Sequence, residues 1–132
     1  MGAWGVGTFE NDEASDWVYR LEDTGDFTLV RDTLVAAAEP SGYLESATGS
    51  SALAAAEVVA AMAGRPAPDL PEEVRAWVAD HRTALTPDLR TLAIRALDQV
   101  AADSELKELW AESDESEAWA DRLQELRGRI AP

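Results

Sequence analysis

The chain contains few groups able to do chemistry, and the most conspicuous is Glu57. It stands in the run Ser51–Ala63, SALAAAEVVAAMA, where it is the only polar side chain after the opening serine. An ionised carboxylate taken out of water costs several kcal/mol unless it is paired, hydrogen-bonded or protonated. Two uses follow. One is a general acid/base with a shifted pKa in a pocket beneath the N-terminal segment. The other is a charged staple that fixes that segment, with the carboxylate accepting from the Trp4 indole N–H, the backbone amides of residues 2–7 or the α-amino group. An arginine, Arg20, Arg31 or Arg90, is the rival partner.

A second group is the carboxylate cluster Glu10, Asp12, Glu13 and Asp16. Asp12 and Asp16 lie one helical turn apart and could share a hard cation such as Mg²⁺ or Ca²⁺. The spacing of a calcium-binding helix–loop–helix is missing, and acids at a helix start are explained by the helix dipole alone. No metal ligand set is therefore assigned, and no cofactor is expected. His81 is the one histidine and cysteine is absent, which excludes thiol chemistry and any site built on two imidazoles of this chain. G-x-S-x-G is missing, so no catalytic residue is assigned; Glu57 is the one candidate. The candidate binding residues are Trp4, Glu10, Asp12, Asp16 and Glu57.

These groups are positioned by helices. A helix that is apolar around its whole circumference is a buried one, so Ser51–Ala63 reads as a central strut, capped by Ser50 or Ser51 and closed by Gly64. Before it, Asn11 caps a helix whose buried face is Ala14, Trp17, Val18 and Leu21, stopped by Gly25. Asp26 caps the next, with Phe27, Val30, Leu34, Ala37 and Ala38 as its stripe and Pro40 as its end. Residues 39–50 are rich in turn formers and read as irregular, with Tyr43 and Leu44 dipping back into the core. RPAPDLP, residues 65–71, is a stiff joint within one domain.

Pro71 suits the first position of a helix carrying Val74, Trp77, Val78 and His81. Thr86-Pro87-Asp88 opens the cleanest amphipathic pattern, Leu89, Leu92, Ala93, Ala96, Leu97 and Val100. Asp103 or Ser104 caps a short helix with Leu106, Leu109 and Trp110. Asp114 with Glu117 resembles a capping box before Trp119, Leu123, Leu126 and Ile130, a heptad-like seam that could pair two copies of the chain. No alternating strand pattern occurs. The expectation is an all-α bundle of about six helices around the alanine-rich one, with residues 1–132 as a single helical domain and an irregular Gly/Trp segment at the start.

Charge narrows the function. With 26 acidic residues against 11 basic ones the net charge is -15, a field that repels nucleic acid and anionic lipid and attracts a basic protein. No secretory signal or myristoylation pattern is present, the latter because position 6 is Val, so a cytoplasmic address is expected. Trp110 and Trp119 flank the acidic stretch 112–117 and would supply aromatic anchors to a docking face.

Gly2, Gly5 and Gly7 around Trp4, followed by Phe9-Glu10-Asn11-Asp12, fail the dinucleotide-binding spacing because position 10 is Glu. Together with Ala14, Asp16 and the Ala-Ala-Glu-Val-Val of 55–59, they resemble a family of small bacterial proteins. It is catalogued as domain of unknown function 4259, whose members typically open MG-x-W-G-x-G-x-F-E-N-D. SELKELW at 104–110 and RLQELRGRI after Trp119 are similar to its actinobacterial members. The resemblance implies a helical domain and supplies no activity, cofactor or catalytic residue. The leading expectation is a non-enzymatic interaction module, in one form immunity-like, docking a basic partner. The alternative is a small carboxylate-based or metal-assisted enzyme using Glu57 with the acids of 10–16.

Overall fold

A computed structural model describes residues 12–24, 27–40, 42–81 and 85–131. Among them are seven helices and no strand: α1 (Asp12–Thr24), α2 (Thr28–Ala38), α3 (Ser46–Met62), α4 (Glu72–His81), α5 (Pro87–Ala102), α6 (Glu105–Ala111) and α7 (Ser116–Ile130). The protein is all-α, and α3 is its axis. Every residue from Ala52 to Met62 is buried, and α1, α2, α4, α5, α6 and α7 all pack against this helix. Alanine makes that possible, since a methyl side chain lets neighbouring helices approach α3 on all sides.

The stripes read from the sequence are the buried faces, except that Phe27, Ala38, His81 and Leu109 on them are only half-buried. Trp17, Leu21, Leu34, Leu89, Leu126 and Ile130 are fully enclosed, and Trp77, Trp110 and Trp119 are also buried. Two polar ties fix the helical pairs. The Trp17 indole donates to the Thr33 hydroxyl (2.9 Å), which itself donates to the Leu29 carbonyl (2.7 Å) and so joins α1 to α2. Ser104 caps α6 by accepting from the Lys107 amide (3.0 Å) and donating to the Val100 carbonyl (2.7 Å). Thr86 caps α5, with Pro87 at the first helical position.

Several expectations are corrected. The central helix begins at Ser46, so Ser50 and Ser51 lie inside it and cap nothing. The first turn is held from outside: the Glu105 carboxylate accepts from the Ser46 amide (2.8 Å), and the Glu105 amide donates to the Leu44 carbonyl (2.9 Å). Leu44 is buried, but Tyr43 is 55% exposed. Asp114 is no cap; α7 starts after Glu115, whose amide donates to the Ser113 hydroxyl (2.9 Å). Pro71 precedes the first residue of α4 rather than being that residue. Phe27 occupies the N-cap position of α2, and no side chain caps it. The caps assigned to Asn11 and Asp26, and the stop at Gly25, lie outside the described residues.

The C-terminal seam is spent within the chain. Trp119, Leu123, Leu126 and Ile130 are buried, and α7 packs on α3 and α5, which removes this stripe as a surface for pairing two copies.

Two glycines give the same substitution opposite signs. Gly64 has φ +87°, where a Cβ is strained although nothing crowds it. Gly49 lies within α3, and a Cβ there would sit 3.4 Å from Leu106 Cδ2, in ordinary contact. Gly64→Ala is expected to lower unfolding stability by about 1 kcal/mol. Gly49→Ala should raise it by about 0.5–1 kcal/mol through helix propensity. Urea unfolding of the two variants measures both.

Candidate functional site

Glu57 lies in the second half of α3 and is 1% exposed. Its carboxylate is met by the Arg129 guanidinium from the last turn of α7, in a fork of two hydrogen bonds: Nη1 to Oε1 at 2.9 Å and Nη2 to Oε2 at 3.1 Å. Paired planar groups of this kind are the strongest protein hydrogen bonds. Arg129 is oriented in turn by Glu125, one turn earlier (Nε to Oε2, 2.5 Å), and by the Arg65 carbonyl (3.1 Å). Burial works against the charge on Arg129, but the hydrogen bonds to Glu57 and Glu125 outweigh it and hold the guanidinium above its ordinary pKa.

The ion pair is also where three segments meet. Arg65 opens the proline-rich connector, and its guanidinium reaches back to the Gly128 carbonyl (3.4 Å). Arg122 of α7 faces Asp69 of the connector at 3.7 Å. Arg75 of α4 donates to the carbonyls of Ala67, Pro68 and Leu70, at 3.1–3.3 Å. The bend between α3 and α4 is thus held through its own carbonyls, groups that proline cannot remove.

The arginine that answers Glu57 is Arg129, not Arg20, Arg31 or Arg90. Arg90 instead donates to the Ile130 carbonyl (2.8 Å) at the end of α7. Trp4, Glu10 and the backbone amides of residues 2–7, offered as partners or binding groups, lie outside the described residues. Asp12 and Asp16 are exposed on α1, whereas Glu57 is buried, and no group of three or more potential metal ligands occurs among the described residues. The arrangement at Glu57 suits a structural tie. A carboxylate held by both oxygens and shielded from solvent is poorly placed to exchange protons with a substrate.

The apolar stripe that marks α7 in the sequence does not include Arg129. Two signals could have found it: the i, i+4 pair Glu125/Arg129, and its place between Leu126 and Ile130 on the flank of that stripe. His81 ends α4 as expected. Its ring stacks on Trp77 with centroids 3.9 Å apart, and its Nδ1–H donates to the Trp77 carbonyl (2.7 Å). Phe27 stacks on the same indole at 6.3 Å. The Trp77 Nε1–H is buried with no hydrogen-bond partner. Trp110 and Trp119 are buried and are not anchors of a docking face; among the described residues the exposed large aromatics are Tyr19 and Tyr43.

An alanine-lined helical bundle locked by a buried ion pair is the class of protein that this fold and site define. The family described as domain of unknown function (DUF4259) matches residues 2–122, and the chain belongs to it. No curated protein and no solved structure matches the chain. No helix among the described residues is long and apolar enough to cross a membrane.

Removing either member of the ion pair should be costly, but not equally. Arg129→Met leaves the Glu57 carboxylate enclosed and stripped of its fork, and is expected to cost about 3–5 kcal/mol. Glu57→Gln leaves an arginine that still has Glu125 and an edge in water, and should cost about 1–3 kcal/mol. Urea unfolding of the two single variants gives the order. The Tyr43 hydroxyl donates to the Glu108 carboxylate. That bond first, then partial loss of hydration and the negative field of Glu108, Glu105 and Asp103, pushes the phenol up to about 12. A raised phenol pKa contributes stability that is complete below the ordinary value near 10 and is lost as pH rises through about 12. In a Tyr19→Phe chain, absorbance at 295 nm should titrate with a midpoint near 12, returning toward 10 in Glu108→Ala.

Proposed function

We propose that the chain is a non-enzymatic interaction module whose acidic surface docks a basic protein. The observation that carries this reading is the asymmetry between its two kinds of charge. Most of the basic groups are occupied within the chain. Arg129 serves Glu57, Arg127 pairs with Asp98, and Arg122 with Asp69. Arg75, Arg90 and Lys107 are turned to backbone carbonyls.

The acids are mostly left to solvent. Asp12, Asp16, Glu22 and Asp23 on α1, Glu72, Glu73 and Asp80 on α4, and Glu117 and Asp121 on α7 are all exposed. A field of one sign over an otherwise polar surface steers an oppositely charged partner and rejects nucleic acid. Covering the basic face of an enzyme, in the manner of an immunity or inhibitor protein, is one form such a module takes. A catalytic role is less well supported, because Glu57 is committed to Arg129 and the α1 acids face outward.

Affinity capture from host lysate on the immobilised chain tests the reading. The expected result is a retained protein of high pI that elutes between about 50 and 200 mM salt, as screening shortens the reach of exposed charges. Retention that ignores salt, or retained proteins of acidic pI, would overturn it.

A further inference from the structure

The geometry points to the groove between α1 and α4 as the place where this surface receives a partner, by taking an arginine side chain of a basic protein segment against Tyr19. This rests on the docking reading above and deepens it. The groove encloses about 410 Å³; Val18, Tyr19 and Pro71 give it an apolar floor, and Glu22 and Glu73 stand on its two sides. Tyr19 is 72% exposed, the most exposed large apolar side chain among the described residues, although it sits on a helix whose other aromatic, Trp17, is fully buried.

Charge selects the occupant. Among the described residues no Lys or Arg lines the groove. The basic residues nearest in sequence are directed elsewhere: Arg75 lies against the connector carbonyls, and Arg20 lines a different groove with Glu13 and Asp32. An aromatic face between two carboxylates suits a guanidinium, which stacks on the ring while its N–H groups reach both acids. A lysine ammonium can meet the carboxylates but gains less from the ring face. Asp16, one turn before Tyr19 on the same exposed side of α1, adds to the negative rim.

Fluorescence anisotropy with a fluorescein-labelled peptide of alternating arginine and glycine tests this on the full chain, with circular dichroism confirming that each variant is folded. Tyr19→Ala, which alters no charge, should weaken binding about fivefold, and Tyr19→Phe should leave it within about twofold. Glu22→Gln with Glu73→Gln should weaken it about tenfold, whereas Glu117→Gln with Asp121→Asn on α7, the same change in net charge, should change it less than about twofold. The matching lysine peptide should bind more weakly than the arginine one. Equal losses from the two double variants, or no effect of Tyr19→Ala, would overturn the groove and leave the acidic-surface reading standing. Absence of saturable peptide binding would also overturn the groove, and the broader reading falls with it only if salt-sensitive capture fails as well.

Discussion

The Glu57–Arg129 pair is the constraint around which the rest of the structure is arranged. A carboxylate inside an alanine-lined helix is tolerable only where a cation can reach it with matching geometry, and the chain supplies that cation from its last helical turn. The contact spans 72 residues of sequence and ties the C-terminal helix to α3. Apolar packing alone would let α7 slide or rotate along α3, because alanines present a smooth surface with few distinguishing knobs. One fork at a fixed height removes that freedom. Burial of the pair thus contributes positional specificity more than net stability, a role attested for buried polar groups in other helical assemblies.

The same device organises the connector. A proline-rich bend offers carbonyls without matching amides, and such groups need donors. Arg75 and Arg129 provide them, and Arg122 adds an ion pair to Asp69. The bend therefore takes up basic residues that would otherwise lie on the surface. With arginine spent on internal carbonyls and carboxylates, the exterior is left more acidic than composition alone suggests. Architecture and surface field have one origin.

Much of this was legible in the sequence, and the exceptions have physical causes. Period-3.6 stripes located the buried faces of α1, α5 and α7, and local signals sufficed for the cap at Thr86 and narrowed that of α6 to Asp103 or Ser104; Thr86 and Ser104 each act on an amide three residues away. The start of α3 was not legible, because Ser46–Ser51 is poor in helix formers and its first turn is held by Glu105 from a distant segment. Tyr43 was expected inside on hydrophobicity, yet its hydroxyl is drawn outward to Glu108. Trp110 and Trp119 sit at the edge of an acidic stretch in the sequence but are buried in space. The need for a partner at Glu57 could be stated from burial alone. Its identity is harder to read, since only the i, i+4 pair with Glu125 and a place on the flank of the α7 stripe set Arg129 apart from the other arginines across such a separation.

A double-mutant cycle at positions 57 and 129, with leucine and methionine as the replacements, tests the central claim most directly. If the pair is the lock described here, unfolding free energies should give a coupling of at least about 2 kcal/mol, with the double variant nearer to wild type than the Arg129→Met chain. A coupling within about 0.5 kcal/mol of zero, the range found for independent sites, would contradict it.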